Sequence, residues 1–468
     1  MPPSRKEAIE RAMGLRAAGR NHEAADAWAL AVDVSPDDPI LYHNWASTLG
    51  DIGQSAAAIE VLETGFKKGL DAPQSLLVYA RALLGAHQPD AAVSAYDRLL
   101  VRAPFDDIAH REYAQMVWML TADRDKALER LSRAIDLAPQ AMALQLLRGQ
   151  LCGQMDALQE EYTYLCAAIA RFGPHPILDH AACKSALANG DSANAVTHGR
   201  RVFENAAGEE RARSVYCTAL IANDELSAAQ DLLDSLRRDY PVNQYYIALQ
   251  ATIWRLQEDE RWRALFDLDA LTFQASLSVP NGWSRLDDYL DDLSAALDER
   301  HRFSAHPFFQ SVRNGSQISS ITEEPDPAMR AYGEAIQEPV REFLRRIGSG
   351  DDPIRTRNNG SADLFSAWSV SLPPGGSHVN HVHPEGWISS ACHIRFDGQG
   401  AEAEAHSGYL KFGEPGILTP RPLPPEKFVE PRRGVLVLFP SYLWHGVVPY
   451  SGAGARLTVA ADLTPSRV

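Results

Sequence analysis

Cysteine is scarce in this chain and unpatterned. The five present (Cys152, Cys166, Cys183, Cys217, Cys392) are odd in number and show no Cys-x-x-Cys spacing. That points to buried, reduced thiols in a cytoplasmic protein rather than to a disulfide framework. Long apolar runs are missing too: none reaches the ~18 residues a membrane-spanning helix needs. Basic charge is in deficit, with 45 Lys and Arg against 61 Asp and Glu and a net charge of −16. Such a field repels phosphate backbones and anionic lipid, so neither nucleic acid nor a membrane surface is an expected partner. The opening residues, Met1-Pro-Pro-Ser-Arg-Lys-Glu, lead into an Ala-rich amphipathic helix without the apolar stretch of a secretory signal. What remains is ordinary for a globular chain, at 45% hydrophobic and 23% charged residues. Its 468 residues exceed what one hydrophobic core serves, so two or three domains are expected.

The first half repeats itself. Ala24, Ala58 and Ala92 are spaced 34 residues apart, as are Trp28, Leu62 and Tyr96; Gly19 and Gly53 share the interval. Small Ala lets two helices approach, and the large residue one turn later fills the adjoining hole. Gly relieves the turn between helices, and Pro36 and Pro104 stop the second helix of a pair. A 34-residue period is that of tetratricopeptide helix pairs, and weaker copies continue to Pro241, about seven in all. An array over 1–260 therefore precedes a helical linker over 261–300, in which Trp283–Arg302 reads as an acidic amphipathic helix. Asp326–Ile347 reads as one further helix, with Pro327 in its first turn and Gly348 past its end.

From 301 to 468 the texture changes. Short β-rich runs (Phe365–Leu372, Trp387–Phe396, Gly408–Phe412, Gly434–Phe439, Arg456–Leu463) alternate with Gly and Pro, the rhythm of a barrel or sandwich. Into this fall His378-Val-Asn-His381-Val-His383-Pro-Glu385, then Trp444-His445, then Arg456-Leu-Thr458. Residues i and i+2 of a strand point to the same side, so His381 and His383 converge on one metal ion with His445 as a third ligand. His383 and Glu385 with His445 make the alternative set, two histidines and a carboxylate, which is the usual arrangement for non-haem Fe(II). His378, an odd step from His381, falls on the opposite side if the strand is regular. If the strands bearing His445 and Arg456 are neighbours, Arg456 and Thr458 face the same cavity. There a guanidinium and a hydroxyl suit the distal carboxylate of an α-keto acid. Trp387, Phe439 and Trp444 read as core, and Pro415–Pro431 as an ordered loop or lid over the mouth.

The segments His306-Pro, Gln310-Ser, Arg313-x-Gly-x-Gln317, His378-x-Asn-His381-x-His383-Pro-x-Gly-Trp387-Ile-Ser-Ser390, Gly408-Tyr-Leu-Lys-Phe-Gly413, Leu438-Phe-Pro-Ser441-x-x-Trp-His445 and Arg456-Leu-Thr-Val-Ala460 together resemble bacterial Fe(II)/2-oxoglutarate oxygenases that carry tetratricopeptide repeats. The resemblance implies a tetratricopeptide-repeat α-solenoid followed by a double-stranded β-helix (jelly-roll, cupin-like) domain. It implies Fe(II), 2-oxoglutarate and O₂ at one mouth, with His381, His383 and His445 as ligands and Glu385 in reserve. Where that family tends to carry two tyrosines, this chain has Cys392-His393. His393 and Ser389 are accordingly expected beside the keto acid, with Arg456 and Thr458, and Cys392 is expected to line the same pocket.

The function these readings imply is a 2-oxoglutarate-dependent hydroxylase acting on a peptide or protein that the repeats help to present. A homodimer joined through the array is a further expectation. Two other readings stand beside it: a non-catalytic repeat scaffold with an inert jelly roll, and a three-histidine cupin-type dioxygenase that uses no keto acid.

Overall fold

The computed structural model describes residues 4–396 and 405–466. The chain divides into two compact units, residues 1–118 with 123–151, and residues 119–122 with 152–468.

The first unit is built from consecutive helix pairs: α1 (Arg5–Ala17) with α2 (Asn21–Val34), α3 (Pro39–Asp51) with α4 (Ser55–Lys67), α5 (Pro73–Gly85) with α6 (Pro89–Arg102), and α7 (Asp107–Thr121) with α8 (Arg124–Leu137). The periodic positions explain the pairing. Ala24, Ala58 and Ala92 are wholly buried, and so are Trp28, Leu62 and Tyr96, so each small residue admits a neighbouring helix and each large one fills the space beside it. Gly19 and Gly53 both stand at φ +73°, the left-handed turn that a side chain resists.

Helix α9 (Met142–Gln154) leads into the second unit. There α10 (Leu158–Phe172), α11 (Pro176–Ala188), α12 (Ser192–Ala206), α13 (Glu210–Ala222), α14 (Leu226–Asp239) and α15 (Gln244–Leu256) continue the pattern, with Ala195 and Ala229 buried at the same period. The segment read as a helical linker holds α16 (Trp262–Leu265), α17 (Leu268–Leu271) and α18 (Leu286–Asp298), and also a strand, β1 (Phe273–Ser276). The helix expected over Asp326–Ile347 is broken into α19 (Pro327–Arg330), α20 (Tyr332–Ala335) and α21 (Gln337–Ile347). Pro339 supplies the reason for the second break, because a proline ring inside a helix collides with the carbonyl four residues earlier, here that of Ala335. Gly348 does end the last piece, at φ +61°.

Two antiparallel sheets complete the unit. The six-stranded one runs β1, β9 (Val435–Pro440), β6 (Ile388–Arg395), β11 (Arg456–Pro465), β4 (Ala362–Leu372), β3 (Ser316–Ile318). The five-stranded one runs β2 (Val312–Arg313), β5 (Ser377–His381), β10 (His445–Val447), β7 (Leu410–Phe412), β8 (Lys427–Val429). This is the double-stranded β-helix, with a core that includes Phe412, Phe439, Leu457 and Trp387.

Helix α15 is bolted to this jelly roll. The Gln244 N–H at its first turn donates to Pro384 O (3.1 Å), and the Trp444 indole donates to Thr252 Oγ1 (3.0 Å). At its far end Arg255 donates to Gly413 O (2.7 Å) and Pro424 O (2.9 Å) and pairs with Glu426. The proline-rich stretch expected as a lid is thereby pinned along the last repeat helix.

Candidate metal centre

His381 closes β5 and lies opposite His445, the first residue of β10. Their ring centroids are 4.3 Å apart. His383 sits just beyond the strand, in a turn fixed by its N–H donating to Ser441 O (3.1 Å). Its ring lies 5.1 Å from that of His381 and 5.0 Å from that of His445. One nitrogen from each imidazole falls within 4.8 Å of the other two, near enough for a single cation to reach all three. Among the described residues no other group of three histidine, cysteine or carboxylate side chains meets this test.

The other ring nitrogens are already spoken for. Nδ1–H of His381 donates to Val379 O (2.8 Å), that of His445 to Leu443 O (2.9 Å), and that of His383 to Asp462 Oδ1 (2.6 Å). Each ring is thereby left with a lone pair on Nε2, the arrangement in which imidazole binds metal while its second nitrogen is oriented from outside. Burial drives the imidazole pKa of His381 down to about 3 and that of His445 well below its ordinary value, and the adjacent histidines push the same way. Both rings therefore stay neutral and able to ligate near pH 7.

Arg456 shares this cavity with the three histidines, Trp368, Phe439 and Thr458. Its strand β11 belongs to the opposite sheet from β10, so the two face each other across the jelly roll rather than lying side by side as the sequence had suggested. The guanidinium is 1% exposed, yet its Nε and Nη1 have no hydrogen-bond partner, and Nη2 reaches only His393 Nδ1 at 3.4 Å. Burial lowers its pKa to about 10, which leaves it charged at neutral pH. His393 Nε2 is likewise buried without a partner. Stranded donors of this kind cost ~1–3 kcal/mol each unless a ligand satisfies them. An anion fits, and three histidine Nε2 atoms beside it fit a divalent metal, so the residues present suit Fe(II) with a dicarboxylic keto acid.

Several expectations change on inspection. His378 does not turn away. Two steps along β10 (His445 to Val447) match three along β5 (His381 to His378), a bulge that swings His378 into the cavity, 6.1 Å from the His381 ring, with Nδ1 3.0 Å from Ser311 Oγ. Cys392 does not line the pocket. It alternates with His393 on β6 and is buried on the outer side, where its charge would bear on Tyr289 and Tyr332. Glu385 is exposed and borders a wider outer cleft rather than the histidine cluster. Ser389 is held away from Arg456: its hydroxyl donates to Asp462 Oδ1 (2.7 Å) and lies 3.2 Å from His383 Nδ1. Thr458 lines the cavity, with its hydroxyl 3.4 Å from Val370 O. Of the aromatics read as core, Trp387 and Trp444 are, while Phe439 is both core and cavity wall, 4.7 Å from the His445 ring.

Asp462 escaped the sequence reading. Its signal was present: a carboxylate inside the apolar run Val459-Ala-Ala-Asp462-Leu, in step with Arg456, Thr458 and Ala460. Trp368, which lines both the inner cavity and the outer cleft, carried no such mark.

A jelly roll that gathers three histidines beside a buried, unsatisfied arginine has the side chains that a metal- and keto-acid-binding site would need. Comparison with known families agrees: residues 366–462 match the model described as "Putative 2OG-Fe(II) oxygenase", and residues 186–253 match the tetratricopeptide repeat. The chain thus joins tetratricopeptide repeats to a domain of the 2OG-Fe(II) oxygenase type. No curated protein matches it. Among solved structures, a tetratricopeptide repeat protein from Parabacteroides merdae is 15% identical, over 50% of this chain and 92% of that one, with a TM-score of 0.37. The C-terminal part of a repeat-containing protein from Cytophaga hutchinsonii is 14% identical, over 51% and 98%, with a TM-score of 0.39. No described helix is long and apolar enough to cross a membrane.

Proposed function

We propose that this protein is an Fe(II)- and 2-oxoglutarate-dependent dioxygenase that hydroxylates a peptide or protein. The observation that carries the reading is the buried Arg456, with Nε and Nη1 unpartnered, facing the same cavity as three histidines whose Nδ1 atoms are all engaged. His381, His383 and His445 would hold the metal through Nε2. Arg456 would take the distal carboxylate of the keto acid, assisted by Thr458 and by the Nε2–H of His393. Iron with 2-oxoglutarate and O₂ supplies oxidative decarboxylation to succinate and CO₂ coupled to hydroxylation of a C–H bond. Asp462 holds the His383 ring in one tautomer and orientation, and Phe439 and Trp368 wall the cavity against bulk water. Glu385, free of the cluster, is the reserve ligand. Five free cysteines, four of them buried, suit a reducing, cytoplasmic setting.

The test is spectroscopic. Under nitrogen, the protein with Fe(II) and 2-oxoglutarate should develop a weak visible charge-transfer band, and in air it should form succinate. Arg456→Ala should raise the 2-oxoglutarate concentration needed for the band by about 10–100-fold, the worth of a lost charge-assisted contact, while leaving iron binding alone. An unaltered titration would show that the keto acid is held elsewhere. A band absent from the wild-type protein would favour the keto-acid-free or scaffold readings.

A further inference from the structure

Two open clefts in the second unit meet at one residue. The outer cleft borders the metal centre through His381, His383 and Trp368 and extends over Pro384 and Glu385. A second groove, on the repeats, is walled by α11, α13 and α15 on one side and by Ile417 and Leu418 of the proline-rich loop on the other, and it too reaches Pro384. Each has a volume of about 660 Å³, within the ~300–1,000 Å³ usual for one ligand pocket, and joined at Pro384 the two offer more room than a single small ligand needs. A second link joins groove and metal centre: Tyr245, in the groove wall, packs edge-on against Trp444 at 6.0 Å, and Trp444 precedes the ligand His445.

The groove carries positive charge that no carboxylate among the described residues neutralises by an ion pair. Lys184 and Arg211 line it, exposed, and neither has an ion-pair or hydrogen-bond partner among the described residues. Both act on the His180 imidazole between them, whose pKa falls to about 4 mainly through burial. The carboxylate in the lining, Glu210, is engaged by the Tyr246 hydroxyl at 2.7 Å. Arg213 on the same helix as Arg211 is, by contrast, paired with Asp239 at 2.6 Å. In a chain of net charge −16, two uncommitted cations form a local attractor for negative charge. Beside them Leu187, Val215, Ile417 and Leu418 offer apolar contact.

We infer that this groove binds an extended acidic peptide segment, whose carboxylates meet Lys184 and Arg211 while the chain runs past Pro384 to the metal centre. The inference rests on the peptide-hydroxylase reading and names its substrate class. A polynucleotide would also present anions, but it meets the protein's overall negative field and gains little from the aliphatic wall.

Fluorescence polarisation on the full-length protein decides it, with three labelled dodecapeptide pools (Asp/Glu-rich, uncharged, Lys/Arg-rich) and a labelled dodecathymidine. The acidic pool should bind best and weaken as salt rises. Affinity should fall about tenfold in Lys184→Gln/Arg211→Gln and further in Lys184→Glu/Arg211→Glu. Helical circular dichroism checks that each variant folds. Equal binding of all pools, preference for dodecathymidine, or undiminished acidic binding by the folded variants would overturn the inference. The ferrous 2-oxoglutarate band, read on the same samples, separates the two ideas. Acidic binding that depends on the cations, without a band, would retain the groove and refute the oxygenase. A band in every variant with no loss of peptide binding would refute the groove alone.

Discussion

Three imidazoles and one carboxylate decide the chemistry at the scale of single residues. One ferrous-iron titration separates their roles. His383→Ala should lose iron, and Glu385→Ala should keep it, because Glu385 is exposed at the cleft rim while His383 faces the cluster. Asp462→Asn should keep a site but weaken it by about 10–100-fold, since an amide cannot replace the carboxylate that orients His383. Loss of iron in Glu385→Ala with retention in His381→Ala would restore the two-histidine, one-carboxylate set. The residues that sequence alone made legible were those whose chemistry is rare in a strand, namely the His-x-His pair, His445 and Arg456. The side of the strand taken by His378 was not legible, because a bulge depends on how two strands register and leaves no mark in either one alone. Cys392 shows the opposite lesson: period-two alternation, applied strictly, would have put it and His393 on different faces.

Among elements, the repeats were legible at once, because a fixed 34-residue interval repeats a packing rule and each copy corroborates the next. The break at Pro339 and the four-residue strand β1 were harder to see. A proline deep in a helical pattern is easily outweighed by its neighbours, and β1 is a strand only because β9 offers it an edge. The element of greatest consequence is α15, whose polar contacts fix the turn bearing His383 and the residue before His445. Trp444→Phe deletes the indole donor to Thr252, whose own hydroxyl still donates to Ala248 O (2.8 Å), and also removes one ring of a buried side chain. The expected cost is ~2–4 kcal/mol, from the lost donor and the cavity together, seen as a lower urea midpoint at an unchanged slope. An unmoved midpoint would mean that α15 is held by its apolar contacts alone.

Taken whole, the molecule carries a pH dependence outside the histidine cluster. Glu161, in α10, is largely buried beside Ser185 and Gly153, and burial raises its carboxyl pKa from 4.5 to about 7. Because the folded value lies above the unfolded one, the contribution to stability is complete below pH 4.5 and is lost as pH rises through about 7. The loss is on the order of 3 kcal/mol at most. Urea unfolding between pH 5 and 8 should show the wild type weakening more than Glu161→Gln, and parallel profiles would remove Glu161 as the cause.

The seam between α15 and the jelly roll also bears on ancestry. A gene fragment that ended its repeats before α15, or began its jelly roll after it, would strand the Trp444 indole and the carbonyls of Pro384, Gly413 and Pro424 without their partners. Shuffling by recombination would therefore favour segments that carry the last repeats and the jelly roll together. In related chains the final helix pairs should vary in step with the strands they clasp, while the first pairs drift more freely.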